Sequence, residues 1–175
     1  MPKRFTDGWL RGKRAVVMGL GRFGGGVGVT RFLCARGADV RVTDRADEAT
    51  LADSLAMLAD LPVAYRLGGH DPADLDDTDL LVVSPAVDRC TNPFFLDACA
   101  RGIPCTTEIN LFLARCRARM VGVTGTIGKS TTCAMAHAIC DHPDARATRT
   151  ARKVLLGGNI GASLLEAVGK LNARD

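Results

Sequence analysis

Apolar residues in the first two thirds of the chain fall in short continuous runs, separated by stretches where apolar and polar positions recur at helical spacing. The runs predict strands at 14–18, 39–43, 63–66, 80–83 and 103–105. The intervening pattern predicts helices from the glycine-rich stretch after residue 19 to about residue 36, then over 48–59, 93–101 and 108–117. Strand and helix alternate throughout, which is the rhythm of parallel strands joined by crossover helices. The expected class is therefore α/β, with a Rossmann-like parallel sheet.

A further apolar run at 120–124 predicts another strand, and the segment after it predicts a helix over 132–140. A division of the chain into 1–118 and 119–175 follows, with the boundary near Arg119. The second part reads as the start of a P-loop α/β domain. Its later portion is less regular: 141–152 is polar and reads as an exposed loop or a frayed helix end, 153–156 as a strand, 157–161 as a turn and 163–171 as a helix. Some 50 residues are too few to complete a parallel sheet, so this second unit is expected to be partial.

Chemistry enters at the junctions. Val121-Gly122-Val123-Thr124-Gly125-Thr126-Ile127-Gly128-Lys129-Ser130-Thr131-Thr132 reads as a strand running into a phosphate-cradling loop. Glycines permit a tight turn whose N–H groups converge. Lys129 reaches the outer phosphates of a nucleoside triphosphate, and the Ser130 or Thr131 hydroxyl helps to hold Mg2+. The following helix presents its N-terminus to the same anion. Val123 stands where the full motif carries its first glycine, leaving the shorter form T-G-T-x-G-K-S-T.

A second loop lies upstream. Gly19, Gly21 and Gly24 satisfy G-x-G-x-x-G, and Asp44 follows Gly24 by the interval expected of an acid closing the second strand. A ligand-free strand-to-helix turn uses glycine in the same way, so this pattern is weak alone. Gly25, Gly26 and Gly28 weaken the first helical turns and imply that a ligand or another segment packs closely there. Asn159 and Glu108 also have plain readings, as a turn residue and as an acid at a helix start. At Ser84, before a proline, a turn role and a ligand contact compete evenly.

Composition narrows the setting. Hydrophobic residues make up 47% of the chain and charged residues 24%, as in an ordinary globular protein. The formal charge of +4 is scattered, so nucleic acid is not an expected partner. The cluster Arg115, Arg117 and Arg119 reads as a solvated helix end. Seven cysteines with no C-x-x-C pair read as buried thiols of a reducing compartment, and the three histidines show no metal-ligand spacing beside them. No run suggests a membrane span or a signal peptide, and a cytoplasmic monomer is expected.

Four anchors taken together resemble one family: Gly19-Leu20-Gly21, Ser84-Pro85, Thr124 to Thr131 and Gly157-Gly158-Asn159-Ile160-Gly161. Both loops occur in this order in the Mur ligases of bacterial cell-wall synthesis, which join a sugar-nucleotide domain, an ATP-binding domain and an amino-acid domain. The resemblance is greatest to the members that add D-glutamate to UDP-N-acetylmuramoyl-L-alanine. It covers about residues 12–170, and Glu108-Ile109-Asn110-Leu111-Phe112 also resembles the family's helix start before the central domain.

The resemblance implies that Gly21, Arg22, Phe23, Gly24, Asp44, Arg45, Ser84 and Asn159 hold the UDP-sugar. It implies that Gly125, Thr126, Gly128, Lys129, Ser130 and Thr131 hold ATP, with Mg2+ on Ser130 and Lys129 as the catalytic group. The implied reaction passes the γ-phosphoryl group to the L-alanine carboxylate, and the D-glutamate amine then displaces phosphate. The chain differs from the family at Ile127, where asparagine is usual, at Ala86, where glycine is common, and in the length of 141–152. The acidic magnesium ligand, the modified lysine and the glutamate domain are expected beyond residue 175, so these 175 residues are expected to be inactive alone. Another ligase of the superfamily, of folylpolyglutamate synthase type, and a non-catalytic NAD- or nucleotide-binding module are the alternatives.

Overall fold

The computed structural model describes residues 5–22, 24–143, 154–158 and 163–168. Its centre is a parallel five-stranded sheet in the order β3-β2-β1-β4-β5. The strands are β1 (Arg14–Met18), β2 (Asp39–Thr43), β3 (Val63–Arg66), β4 (Leu80–Val83) and β5 (Cys105–Thr106). The central strand runs Ala15 against Val40 on one side and against Leu80 on the other. Burial on both faces accounts for its continuous apolar run: Ala15, Val16, Val17 and Met18 are all buried.

Alternate residues of the strands feed separate cores. Ala15, Val17, Val40, Val42, Leu80 and Val82 join Val27, Phe32, Leu33, Leu111 and Phe112 on one face. Val16, Met18, Leu81 and Val83 meet Leu75, Phe94 and Ala98 on the other. The helices of the first face include α2 (Gly25–Cys34), α3 (Glu48–Ala56) and α5 (Glu108–Leu113), and α4 (Pro93–Ala100) covers the second. Side-chain oxygens fix several helix starts by accepting backbone N–H groups that have no partner within the helix: Asp47 caps α3, Asn92 caps α4 and Thr107 caps α5. A short N-terminal helix α1 (Asp7–Leu10) is tied back by Asp7, which accepts from both Arg36 and Arg115. Arg115 is therefore not a solvated helix end. Its guanidinium lies 4.8 Å from the Phe32 ring centroid.

Two expectations fail outside this sheet. Residues 120–124 form no strand, and Val121 is 88% exposed. Extended backbone needs a neighbouring strand to receive its N–H and C=O groups, and no described strand runs beside it. Of the strand expected at 153–156, residues 154–156 form none, and residue 153 lies outside the described residues. The helix after the phosphate loop, α6 (Lys129–Asp141), forms over a longer span than expected but has no buried residue. The last described helix is α7 (Leu164–Ala167), whose Leu165 enters the first core. The cysteines also depart from expectation: none is buried, and Cys90, Cys99 and Cys140 are exposed.

Candidate functional site

In the order β3-β2-β1-β4-β5 the chain winds outward through β2 and β3, then crosses back over β1 to begin β4. The direction reverses between β1 and β4, and a crevice opens at the carboxyl ends of such a strand pair. Gly19 follows β1 and Ser84 follows β4, so the fold brings these two sequence anchors together. A Cβ added at Gly19 would lie 2.7 Å from Ser84 Cβ, and Gly19 has φ +91°. Glycine is thus required twice over, for the left-handed backbone and for the close approach. Ser84 Oγ accepts from the Ala86 N–H at 3.3 Å, which turns the chain away from β4.

Asp44 braces the loop. Its Oδ2 accepts from the N–H groups of Leu20 at 2.8 Å and Gly21 at 3.1 Å, and its Oδ1 from Ala46 at 2.9 Å. The residue is only 9% exposed. From beneath, Ser54 Oγ donates to the Gly21 carbonyl at 2.8 Å. Arg22 and Arg45 are exposed on either side of this loop, where their charges face solvent. Phe23 and Asn159 lie outside the described residues.

His70 and Thr43 are site neighbours that sequence reasoning passed over. Thr43 Oγ1 donates to the Gly69 carbonyl at 3.2 Å and lies 2.8 Å from His70 Nδ1. Burial holds the His70 pKa below its ordinary value, with the Asp44 charge acting in the opposite direction. The imidazole stacks on Phe94 at 5.1 Å between centroids. The sequence signal was Gly68-Gly69 directly before the histidine, after a strand.

The second loop has a different setting. Gly125 and Gly128 take φ +146° and +82°, and Gly128 begins α6 in left-handed geometry. Lys129 Nζ donates to the carbonyls of Gly125 and Thr126, so the ammonium is folded over its own loop. Thr126, Ser130 and Thr131 are exposed around the first turn. The donor set is one cation, two hydroxyls at a helix start and glycine-permitted backbone, which fits a phosphate chain with a hydroxyl-bound Mg2+. Among the described residues no group of three or more His, Cys, Asp or Glu side chains is placed to hold a metal ion.

The family described as Mur ligase MurD-like, N-terminal domain, matches residues 13–107. The chain belongs to this family of Mur ligases. It is 40% identical over 159 residues to the UDP-N-acetylmuramoylalanine--D-glutamate ligase of Geotalea daltonii, covering 91% of this chain and 33% of that protein. It is 46% identical over 162 residues to the enzyme of the same name from Anaeromyxobacter dehalogenans, covering 91% and 32%. The chain thus spans about a third of the length of the curated relatives it matches. Among solved structures, a pseudomurein peptide ligase type C from Methanothermus fervidus aligns at 27% identity with a TM-score of 0.49, over 70% of this chain and 24% of that one. Among the described residues of this Mur ligase chain, no helix is long and apolar enough to cross a membrane.

Proposed function

We propose that this chain supplies the nucleotide-binding part of a ligase that joins D-glutamate to UDP-N-acetylmuramoyl-L-alanine at the expense of ATP. The observation that carries the proposal is the meeting of Gly19, Ser84 and the Asp44-braced loop at the point where the sheet reverses direction. The name printed for the 40–46% identical relatives supports the choice of substrates.

The crevice takes the UDP moiety. Gly21 and Gly24 let the backbone approach the diphosphate, Arg22 and Arg45 supply positive charge beside it, and Ser84 offers a hydroxyl. Asp44 acts through the loop it holds, since its carboxylate is committed to three N–H groups. Phe23 and Asn159 complete the proposed UDP-sugar set.

ATP and Mg2+ belong to the second loop, with Gly125, Thr126, Gly128, Lys129, Ser130 and Thr131. When bound, ATP supplies the phosphoryl group that activates the L-alanine carboxylate. Lys129 must unfold from its two carbonyls and turn outward, where its fixed charge stabilises the negative charge developing on phosphate oxygens. Among the described residues α6 has no buried side chain, so its loop is less firmly braced there than the loop that Asp44 holds. Binding rather than turnover is therefore assigned to these 175 residues.

A thermal-shift comparison of UDP-N-acetylmuramoyl-L-alanine, NADH and Mg-ATP tests the assignment, since a ligand that binds only the folded chain raises its melting temperature. Stabilisation by the UDP-sugar is expected, and a shift with NADH alone would exclude the ligase reading in favour of a dinucleotide module. Lys129→Ala should abolish the protection of α6 amides from hydrogen exchange by Mg-ATP and spare the thermal response to UDP-sugar.

A further inference from the structure

Three glycines in the opening turns of α2 leave room for particular neighbours. A Cβ at Gly26 would lie 2.2 Å from the Leu20 carbonyl oxygen, which seats the helix against its own glycine loop. A Cβ at Gly25 would lie 2.7 Å from Glu108 Oε2, and one at Gly28 would lie 2.2 Å from Ser163 Cβ. The last two neighbours come from far along the chain and bind each other: Ser163 Oγ donates to Glu108 Oε1 in a short hydrogen bond. Ser163 also caps α7 by accepting the Leu165 N–H at 3.3 Å, and Leu165 is buried in the main core. The first turn of α5, the start of α7 and the glycine face of α2 thus form one junction directly behind the nucleotide loop.

We propose that Glu108 and Ser163 are positioning residues, forming a latch that fastens the segment after the phosphate loop onto the nucleotide-binding sheet. The proposal rests on the UDP-sugar reading above and deepens it. Ser163 sits against Gly28, about 6 Å along the helix axis from Gly24. Gly157 packs against the next residue of α7: a Cβ there would lie 2.3 Å from Leu164 Cδ2. Fastening Ser163 and Leu164 therefore also holds Gly157, which opens the stretch whose Asn159 is assigned to the part of the UDP-sugar beyond the diphosphate. UDP alone lacks that part and does not depend on the latch.

The test uses the 175-residue chain with UDP and with UDP-N-acetylmuramoyl-L-alanine, followed by calorimetric titration, together with amide hydrogen exchange over residues 163–168. Glu108→Ala removes the acceptor, and Gly28→Ala pushes Ser163 away. Each should weaken UDP-sugar binding by about tenfold, a 1.4 kcal/mol effect, while leaving UDP binding unchanged and speeding exchange over 163–168. Glu108→Gln retains an oxygen acceptor for Ser163 and should match the parent chain in both affinities, with exchange over 163–168 no faster than in the parent. Equal UDP-sugar affinity in Glu108→Ala and parent would overturn the proposal. So would an equal loss for UDP and UDP-sugar, which would mark general damage to the fold. If the parent binds neither nucleotide, the UDP-sugar reading fails separately, and exchange decides the latch: a rise confined to the two disrupting variants supports it, and unchanged exchange refutes it.

Discussion

Asp44 shows how one side chain can serve a ligand without reaching it. Its two oxygens accept three backbone N–H groups, from Leu20 and Gly21 at the start of the β1–α2 loop and from Ala46 after β2. Removal of the carboxylate leaves the buried Leu20 N–H without its acceptor, and each such group costs about 1–3 kcal/mol. Asp44→Ala should therefore lose roughly 2–4 kcal/mol of stability by urea denaturation and abolish UDP binding, and Asp44→Asn, which keeps one acceptor oxygen, should lose less. Glu108 leads to a prediction of opposite character. Burial pushes its pKa above the ordinary value, against the Ser163 hydrogen bond, and the Glu166 charge adds to the rise. A carboxyl raised in this way favours the folded state below its unfolded pKa, and that contribution is lost as pH rises through the folded value. Glu108→Gln should accordingly melt higher than the parent at neutral pH, with the difference closing as pH falls below the ordinary glutamate range; melting curves from pH 4 to 8 would show it.

At the scale of elements, the sheet and α6 are held by different means. The central strand is hydrogen-bonded on both edges and buried on both faces, whereas α6 has no buried residue, exposes Met135 and Ile139 at 60% and 68%, and has His137 Nε2 3.3 Å from the Val154 carbonyl oxygen. An isolated helix of its length is marginal in water. Its amides should exchange orders of magnitude faster than those of β1 and α2, measurable by hydrogen-exchange mass spectrometry. The same contrast explains which elements were legible in the sequence. Residues 14–18 could be read because a strand buried on both faces is apolar from Ala15 to Met18, and 39–43 because Val40 and Val42 alternate with Asp39 and Arg41, while the helices with side-chain caps began where Asp47, Asn92 and Thr107 stand. Residues 120–124 carry the same apolar signal, but a strand exists only where another strand accepts its backbone groups, and that partner is not encoded locally. The glycines at 25, 26 and 28 correctly announced a close approach. Nothing near them named Glu108 or Ser163 as the groups that approach.

For the whole molecule, two loops with similar glycine chemistry have unequal mechanical support. A ligand at the Gly19–Ser84 crevice binds the cooperative core and should raise the global unfolding free energy by about 2.7 kcal/mol at a hundredfold excess over Kd. Mg-ATP on α6 binds a piece that opens separately, so it should protect α6 amides from exchange with little change in melting temperature; a combined thermal-shift and exchange experiment separates the two effects. By itself the sequence determined the α/β class, the positions of β1 to β4 and the two glycine-rich loops, because apolar periodicity, glycine and cap residues act through neighbours close along the chain; β5 lies at Cys105–Thr106 rather than 103–105. The tertiary structure alone decided that Ser84 meets Gly19, that Asp44 braces a loop, that His70 and Thr43 stand beside it, and that Ser163 reaches Glu108. These pairings depend on the order in which strands assemble and on which helix packs where, and chain separation hides such contacts from any local pattern.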